Sequence, residues 1–356
     1  ICVERDAISA AVAHQAGVCR ESGGVTDVDV VAQHVDRDMP VESHVVDDPW
    51  SLLTHPVFRR ADVAIFHFGI RYGLFDALVG LGPSTGPVVH FHNVTPIELV
   101  GPSDRAAVVQ SHRQVAASLS TDTHYWYYSE FNRRTLEGWG VPRDRRLFVP
   151  FPIEPPRPLR PTRSGDVLRL VSVGRFVPAK GTLTVIRAVA AASVRMDRPV
   201  SLTLVGNPEF GDPAYVAEIE ALVDGGDLDG LVTILPEADE AELWRQYETA
   251  DVVVSGSHHE GLCVPVIEGY LAGCRAIGTT AGNLPYVVQP PVPVVTPGSD
   301  DELVDAIVAV DAELRSGRSP RRDSTRELCR RHSVDFVRRA TERALHDRLA
   351  HPRAVA

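Results

Sequence analysis

Residues 251–268 read DVVVSGSHHEGLCVPVIE, an apolar run followed by a polar loop and then by Pro265. The run 252–254 predicts a buried strand, because short apolar runs bounded by turn residues are typical of parallel sheets. Pro265 fits the first turn of a helix, where a missing N–H costs no hydrogen bond. The stretch therefore predicts a strand, a loop and a helix that begins near Pro265.

The loop and the start of this helix carry the groups of an anion site. Glu260 lies in the loop, and Glu268 lies about one turn inside the helix. Carboxylates accept hydrogen bonds from vicinal diols, so the two glutamates predict contacts to hydroxyl groups on either side of a bound diphosphate. Backbone N–H groups at a helix start point outward and can cradle an anion. Here they belong to Gly261, Leu262, Cys263 and Val264.

A second candidate phosphate site follows the apolar run 168–173. Of the 36 lysine and arginine residues, Lys180 is the only lysine, and it lies shortly after Gly174 and Arg175. An ammonium acts as a compact point charge on phosphate, and helix N-termini attract anions. We therefore expect Lys180, between a strand end and a helix start, to bind phosphate. A surface lysine retained by chance is the alternative.

Short Val- and Ile-rich runs alternate with helical patterns along the whole chain, which is typical of a parallel sheet covered by helices. The proline-rich stretch 150–161 predicts an extended linker between two halves, because proline interrupts both ladders and helices. The predicted strands are 28–31, 63–66, 88–91, 125–128 and 147–149 in the first half, and 168–173, 201–205, 232–235, 252–254, 275–277 and 292–295 in the second.

The length predicts two domains, since 356 residues exceed what one hydrophobic core usually supports. We expect an α/β protein with two Rossmann-like parallel-sheet domains that face a central cleft. The predicted boundaries are 1–152 for the first domain, 153–166 for the linker and 167–325 for the second domain. A C-terminal helix over 326–356 is expected to pack back toward the first domain.

Composition excludes several classes of protein. A net charge of −11 argues against nucleic-acid binding. Five cysteines without a CxxC pair predict reduced thiols and a cytoplasmic protein. No apolar run has transmembrane length and no signal peptide is evident, so we expect no stable membrane insertion. Because the first residue is Ile1 and not Met, a few residues are expected to precede it; the oligomeric state stays open.

Together these motifs resemble those of the retaining glycosyltransferases of family 4, which have the two-domain GT-B fold. The family pattern of Gly-Arg and then Lys-Gly after a short spacer is met by Gly174-Arg175 and Lys180-Gly181. Its E-x7-E element is met by Glu260 and Glu268, with EGLCVP where EGFGLP is common. These elements cover most of residues 165–300. Further matches are Tyr247-Glu248, Ala250-Asp251, Gly269, Gly273 and Gly282.

The resemblance implies a role for each matched residue in binding a nucleotide-sugar donor. Arg175 and Lys180, beside Gly174, would neutralise the diphosphate. Glu268 would hold the ribose hydroxyls and Glu260 the transferred sugar. The nucleobase would contact the backbone at Leu235 and Pro236, although family members often have Gly in place of Pro236.

A structural role is the alternative for each of these side chains. Arg175 could pair with a carboxylate, Glu260 could be a surface loop charge, and Glu268 could complement the helix dipole. Cys263 is expected to be a small apolar packing residue that contributes only its amide to donor binding.

Residues 88–96, VVHFHNVTP, form a predicted strand that ends in polar residues, and ligands of open α/β sheets bind at strand carboxyl ends. The segment resembles a histidine-bearing element of the same family, in which His92 matches the histidine that contacts the donor sugar near its anomeric carbon. A core histidine satisfied by the backbone is the alternative for His92 and the preferred interpretation of His90. Ser129 is predicted to cap a helix.

The loop that contains Asp6 resembles the family's loop after the first strand, which implies that Asp6 contacts the donor. The family usually has Gly where Arg5 stands, which indicates different phosphate or acceptor contacts here.

No metal ion and no cofactor are predicted. Two Asp-x-Asp segments, at 27–29 and 36–38, resemble the metal motif of the other glycosyltransferase fold but lack its surroundings. The segment His258-His259-Glu260 is not an H-E-x-x-H zinc helix. In this interpretation, Arg175, Lys180 and helix dipoles neutralise the phosphate charge.

The predicted function is that of a retaining, metal-independent glycosyltransferase of the hexosyltransferase type. It moves a sugar from a nucleoside diphosphate-sugar, GDP- or UDP-linked, to a small soluble acceptor. A small acceptor is favoured because the acidic first domain disfavours anionic membranes. The first domain would bind the acceptor and the second the donor. The alternatives are a sugar-nucleotide epimerase or phosphorylase on the same fold and a non-catalytic nucleotide-sugar-binding subunit.

Overall fold

A computed structural model describes residues 12–13, 16–21, 25, 27–33, 41–161, 165–225, 228, 230–316 and 322–350. The chain divides into two compact units. One unit contains Ile153–Arg331, and the other contains the described residues before Ile153 together with those from His332 onward. We call them the C-terminal and the N-terminal unit.

The N-terminal unit is built on a four-stranded parallel sheet in the order β3-β4-β5-β6. Its central strand β4 is buried along its whole length, which its apolar sequence predicts. Strands β1 and β2 form a separate parallel pair. The strands are β1 Asp29–Ala32, β2 Glu42–Val45, β3 Val63–Phe68, β4 Gly86–Phe91, β5 His124–Tyr127 and β6 Arg146–Phe148.

The C-terminal unit is built on a five-stranded parallel sheet in the order β11-β10-β7-β8-β9. Side chains such as Leu170, Leu202 and Val252 are almost fully buried between this sheet and its helices. The strands are β7 Leu168–Val173, β8 Val200–Val205, β9 Val232–Leu235, β10 Val252–Val254 and β11 Arg275–Ile277.

Helices follow most strands, and polar caps start several of them. Asp48 accepts hydrogen bonds from the backbone N–H groups of Trp50 and Ser51, and Ser129 accepts from Asn132 N, as predicted for a capping serine. The helices are α1 Pro49–Thr54, α2 Pro56–Arg60, α3 Arg105–Leu119, α4 Glu130–Gly138, α5 Thr182–Arg195, α6 Pro213–Gly225, α7 Glu240–Thr249, α8 Val264–Leu271, α9 Leu284–Val287, α10 Asp300–Arg315, α11 Arg322–Arg331 and α12 Val334–Ala350.

One predicted strand is wrong. Residues 292–295 form only an isolated bridge between Val295 and Thr279, because Pro291 and Pro293 have no N–H to donate to a ladder. Every other predicted strand overlaps an observed one. Strand β2, with the sequence ESHV, was not predicted, since polar side chains hide its pattern.

The proline-rich segment at the start of the C-terminal unit has no helix or strand over residues 150–161. It is held to α7, because the Glu248 carboxylate accepts hydrogen bonds from Arg157 Nη1 at 3.0 Å, from Arg157 Nη2 at 2.7 Å and from the Arg160 backbone N–H. The predicted boundary at residue 326 falls within α11. Among the described residues, the helices are too short or too polar to cross a membrane.

Candidate functional site

Two loops at the carboxyl ends of neighbouring strands meet in the C-terminal unit. The loop after β7 passes through a 3₁₀ turn at Pro178–Lys180 and reaches α5 through Gly181, whose φ of 63° lies in the left-handed region. A Cβ on Gly181 would lie 2.1 Å from the carbonyl oxygen of Gly256, in the loop after β10. The backbone N–H of His258 donates to Ala179 O at 2.8 Å. These close contacts fix the two loops against each other.

The contact between the loops brings Lys180 next to Glu260. Lys180 Nζ donates to Glu260 Oε1 at 2.9 Å, and Ser257 Oγ donates to the same oxygen at 2.6 Å. The Lys180 side chain is 25% exposed and that of Glu260 is 11% exposed, so the pair is shielded but open to a ligand. An anion that bound the ammonium would compete with Glu260 for it.

A pocket beside this pair contains Arg175 as well as Lys180. Both cations therefore border one space, which suits an anion with more than one charged group. Hydroxyl groups make up much of the remaining polar lining. The pocket is lined by Ser172, Val173, Gly174, Arg175, Phe176, Lys180, Thr182, Leu204, Ser255 and Ser257.

The backbone around Glu260 is held by the segment after β11. Asn283 N donates to Glu260 O at 2.8 Å, and Asn283 Nδ2 donates to Leu262 O at 3.1 Å. Gly282 has a φ of 53°, and a Cβ there would lie 2.2 Å from Glu260 O. Only glycine fits this approach, which gives a physical reason for the Gly282 match found in the sequence.

Helix α8 starts at Val264, one residue before the predicted start at Pro265. Cys263 precedes it with a φ of 66°, a conformation that glycine adopts more easily. Its thiol is buried, and burial raises the pKa of the Cys263 thiol, so the side chain packs as an apolar group and is not a reactive thiolate. The N–H groups of Gly261, Leu262, Cys263 and Val264 lie in the loop and at this helix start.

Glu268 lies within α8 and is partly buried. The hydroxyl of the buried Tyr247 donates to Glu268 Oε2 at 2.7 Å. Burial raises the pKa of Glu268 to about 7, although the hydrogen bond from Tyr247 opposes this change. Tyr247 thus orients the carboxyl, and the raised pKa means that the carboxyl changes charge near neutral pH.

We expect Glu268→Gln to increase stability at alkaline pH and to leave it unchanged at acidic pH. The folded-state pKa of about 7 lies above the reference value of 4.5, so the folded protein holds this proton more tightly than the unfolded chain. The stabilising contribution is complete below about pH 4.5 and is lost as the pH rises through about 7. A neutral amide avoids this loss, which amounts to at most about 3 kcal/mol.

Thermal unfolding of the full chain between pH 4.5 and 8.5 tests this expectation. The difference between the melting temperatures of Glu268→Gln and wild type should increase with pH. Glu218→Gln, an exposed glutamate on α6, is the matched control and should give a constant difference. A constant difference for Glu268→Gln as well would contradict the raised pKa.

The predicted base-contact position lies at the end of β9. Leu235 is the last residue of this strand, and its carbonyl oxygen accepts a hydrogen bond from Gly206 N at 3.2 Å. A Cβ on Gly206 would lie 2.2 Å from Gly174 O, so the ends of β7 and β8 approach closely. Pro236 follows directly.

Three histidines lie together at the end of the sheet in the N-terminal unit. His67 on β3 is paired in register with His90 on β4, and His92 lies just beyond β4. His67 Nδ1 is 3.0 Å from His92 Nε2, and His90 Nε2 is 3.1 Å from Val149 O. Burial lowers the pKa of His67 to about 4 and lowers the pKa values of His90 and His92 well below 6.5. All three rings are therefore neutral near pH 7.

Backbone contacts fix the position of His92. Its N–H donates to Phe68 O at 2.7 Å, and its carbonyl accepts from Tyr128 Oη at 2.7 Å. The next residue, Asn93, has a φ of 75° and donates from Nδ2 to Asn132 Oδ1 at 2.9 Å. This turn directs the chain away from the strand directly after His92.

Sequence reasoning did not predict the side-chain contacts that orient the predicted site residues. Tyr247 binds Glu268, Ser257 binds Glu260 and His67 binds His92. His67 directly follows the predicted strand 63–66, and 88–91 is the next predicted strand along the chain. This position could have identified His67. Asp6 and Arg5, as well as residues 36–38, lie outside the described residues.

Comparisons with known proteins give a family match for the second half. Residues 161–313 match the family model of glycosyl transferases, group 1. An MMP alpha-(1->4)-mannosyltransferase of Mycolicibacterium hassiacum is 32% identical over 169 residues, 47% of this chain and 36% of the relative. A D-inositol 3-phosphate glycosyltransferase of Geodermatophilus obscurus is 26% identical over 250 residues, 66% of this chain and 53% of the relative. The chain thus spans about a third to a half of the length of these curated relatives.

Solved structures match the chain over almost its whole length. A sucrose-phosphate synthase from Thermosynechococcus elongatus has a TM-score of 0.72 at 17% identity, covering 94% of this chain and 92% of that one. Anabaena HepE in complex with UDP-glucose has a TM-score of 0.72 at 16% identity, covering 95% of each chain. These neighbours confirm the predicted GT-B fold, with its parallel-sheet Rossmann-like domains.

Proposed function

We propose that the protein is a retaining, metal-independent glycosyltransferase that uses a nucleoside diphosphate-sugar donor. The observation that carries the proposal is that Arg175 and Lys180 line one pocket and that Lys180 also binds Glu260, all within the segment that matches group 1 glycosyl transferases. Two cations suit a diphosphate, and a carboxylate beside them suits the hydroxyl groups of the attached sugar.

The proposed chemistry follows from the charge that develops as the donor breaks. The carbon–oxygen bond to the diphosphate lengthens, negative charge grows on the leaving oxygen, and the sugar becomes oxocarbenium-like. Cations held in place before the reaction stabilise that charge without rearranging, which is a major source of rate enhancement. Arg175 and Lys180 would supply the charge, and the amides at the start of α8 would add hydrogen bonds.

The contacts of Glu260 and Glu268 differ in a way that fits separate roles. Glu260 is bound to Lys180 and would hold the sugar as its bond to phosphate breaks. Glu268, oriented by Tyr247, would accept hydrogen bonds from the ribose hydroxyls, away from the reacting atoms. The acceptor hydroxyl would transfer its proton to the departing phosphate and attack from the same face, which retains the anomeric configuration.

The donor nucleotide is proposed to be UDP or GDP. Support comes from Anabaena HepE, which has the same fold and was solved with UDP and with UDP-glucose. We propose a small soluble acceptor, as the acidic character of the first 150 residues favours. A sugar-nucleotide epimerase or phosphorylase and a non-catalytic binding subunit are the competing functions.

A thermal-shift screen followed by a transfer assay tests the proposal. In buffer with EDTA, one of the UDP-, GDP-, ADP- and TDP-sugars should raise the melting temperature, because a ligand of the native state stabilises it. With that donor and a panel of small hydroxylated acceptors, the product should keep the donor's anomeric configuration and turnover should persist in EDTA.

Several outcomes would count against the proposed function. Loss of turnover in EDTA with recovery in Mg²⁺ or Mn²⁺ would refute metal independence. Sugar release that requires inorganic phosphate and no acceptor would identify a phosphorylase. Donor binding without turnover for any acceptor in the panel would favour a non-catalytic binding subunit.

A further inference from the structure

The three histidines of the N-terminal unit lie close together, and the proposed transfer reaction does not require this arrangement. One ring nitrogen from each of His67, His90 and His92 lies within 4.8 Å of the other two. His67 Nδ1 and His92 Nε2 are 3.0 Å apart. Ligand nitrogens around a tetrahedral metal ion are about 3.3 Å apart when metal–nitrogen bonds are about 2.0–2.1 Å long. The spacing between His67 and His92 is therefore already close to that of two ligands of one ion.

The surroundings of His90 resemble those of a metal ligand. His90 Nε2 lies 3.1 Å from the carbonyl oxygen of Val149, which can only accept a hydrogen bond, so Nε2 is assigned as the donor. Metal-bound histidines usually donate their second ring N–H to a carbonyl or carboxylate in this way, which fixes the ring orientation. His90 is only 1% exposed, so its ring is also held by packing.

The other two rings can supply their lone pairs through a change of tautomer. At 3.0 Å, one of His67 Nδ1 and His92 Nε2 donates a proton to the other. A metal ion between them requires both lone pairs to face inward, so the shared proton would move to the outer nitrogen of its own ring. Each imidazole stays neutral in this exchange. His67 and His92 are partly exposed, which leaves a path for the ion.

We propose that His67, His90 and His92 form a binding site for a divalent transition-metal ion, with zinc as the expected ion. Three imidazoles without a carboxylate favour Zn²⁺, Cu²⁺ or Ni²⁺ over the oxygen-seeking Mg²⁺ and Ca²⁺. Three protein ligands leave the fourth tetrahedral position open for water or an exchangeable ligand. The aromatic rings of Tyr128 and Phe151 pack around His90 and His92 and shield the site.

This site goes beyond the proposed transfer reaction and is not needed for it. An ion at the cluster would occupy His92 Nε2 and restrict a ring to which the family resemblance assigns a contact with the donor sugar. Zn²⁺ should therefore slow transfer, and EDTA should restore it. Measuring zinc binding requires no donor or acceptor, so its result is independent of whether the protein transfers sugars.

Isothermal titration calorimetry of the metal-stripped full chain with zinc chloride tests the site. Wild type should bind one tight equivalent of Zn²⁺ and show no such binding of Mg²⁺. His67→Gln and His92→Ala should each weaken the tight equivalent at least about tenfold, since even residues that only orient metal ligands change affinity by about 10–100-fold. Circular dichroism and melting temperature verify that the variants fold.

Two control variants separate this cluster from other histidines. His44, with Asp29 and Glu42, belongs to a second group that could hold an ion, and His112 is exposed on α3. His44→Ala and His112→Ala should leave the tight equivalent unchanged. Its loss in His44→Ala, or its full retention in His67→Gln and His92→Ala, would overturn the proposal.

X-ray absorption spectroscopy of the zinc-loaded chain counts the imidazoles around the ion. This measurement tests His90 without replacing it, which matters because His90 is buried in the core. Three imidazole ligands in wild type and two in His92→Ala are the expected result. A wild-type site with fewer than three, or no saturable zinc binding at all, would mean that the histidines form only a hydrogen-bonded cluster.

Discussion

Replacing Lys180 with alanine is expected to lower turnover by about 10²-fold or more, because the variant loses a cation held beside the proposed leaving group. Lys180 Nζ lies 2.9 Å from Glu260 Oε1 and borders the same pocket as Arg175. Its removal should change turnover more than nucleotide affinity, since charge on the leaving oxygen develops fully only in the transition state. Steady-state kinetics with the donor identified by thermal shift give both values.

Two further variants make this test specific. Lys180→Arg keeps the charge but replaces a compact ammonium with a planar guanidinium, and we expect most of the loss to remain. Arg195→Ala removes a more exposed cation, paired with exposed Asp305, from the same unit and should change turnover little. Full activity in Lys180→Arg would show that charge alone suffices, and near-wild-type turnover in Lys180→Ala would remove the basis of the proposed site.

Replacing Gly181 with alanine is expected to destabilise the protein by about 2–4 kcal/mol. The left-handed φ of 63° costs a residue with a side chain about 1 kcal/mol. The new Cβ would also lie 2.1 Å from Gly256 O and 2.8 Å from Gly256 C, both backbone atoms that cannot rotate away. Relieving an overpacked contact of this kind usually costs about 1–3 kcal/mol more.

Calorimetric unfolding of the full chain measures this effect, and Gly230→Ala is its matched control. Gly230 lies in the same unit with a φ of 77°, but a Cβ there meets open space. The control should therefore lose only the conformational contribution of about 1 kcal/mol. Equal losses in the two variants would show that the close contact between the loops does not contribute to stability.

Much of the fold could be predicted because its determinants are local. The runs at β7, β8 and β10 are apolar along their length, which predicts buried parallel strands without any knowledge of their neighbours. Proline and serine marked helix starts by the same local logic. The failures were local as well: the prolines among residues 290–293 prevented a strand that the valines suggested, and polar side chains concealed β2.

The sequence by itself determined which residues carry charge at the candidate site and on which loops they lie. The single lysine and the two glutamates, with Gly181 and Gly261 beside them, are recognisable because the proposed phosphate and hydroxyl chemistry favours particular residue types. The contacts of Tyr247 with Glu268 and of His67 with His92 are found only in the tertiary structure. Tyr247 is 21 residues from Glu268 and His67 is 25 residues from His92, so no local pattern connects them.

Tertiary structure also decided the electrostatic state of the site. Glu268, which the sequence identified only by its spacing from Glu260, has its pKa raised to about 7 because the fold shields the carboxyl from water, while the hydrogen bond from Tyr247 opposes this rise. Three separate histidines become one cluster because β3 and β4 pair in register. Residue types alone indicated the chemistry that we propose for each position. Burial, register and close approach depend on which strands become neighbours, and only the folded chain sets those distances.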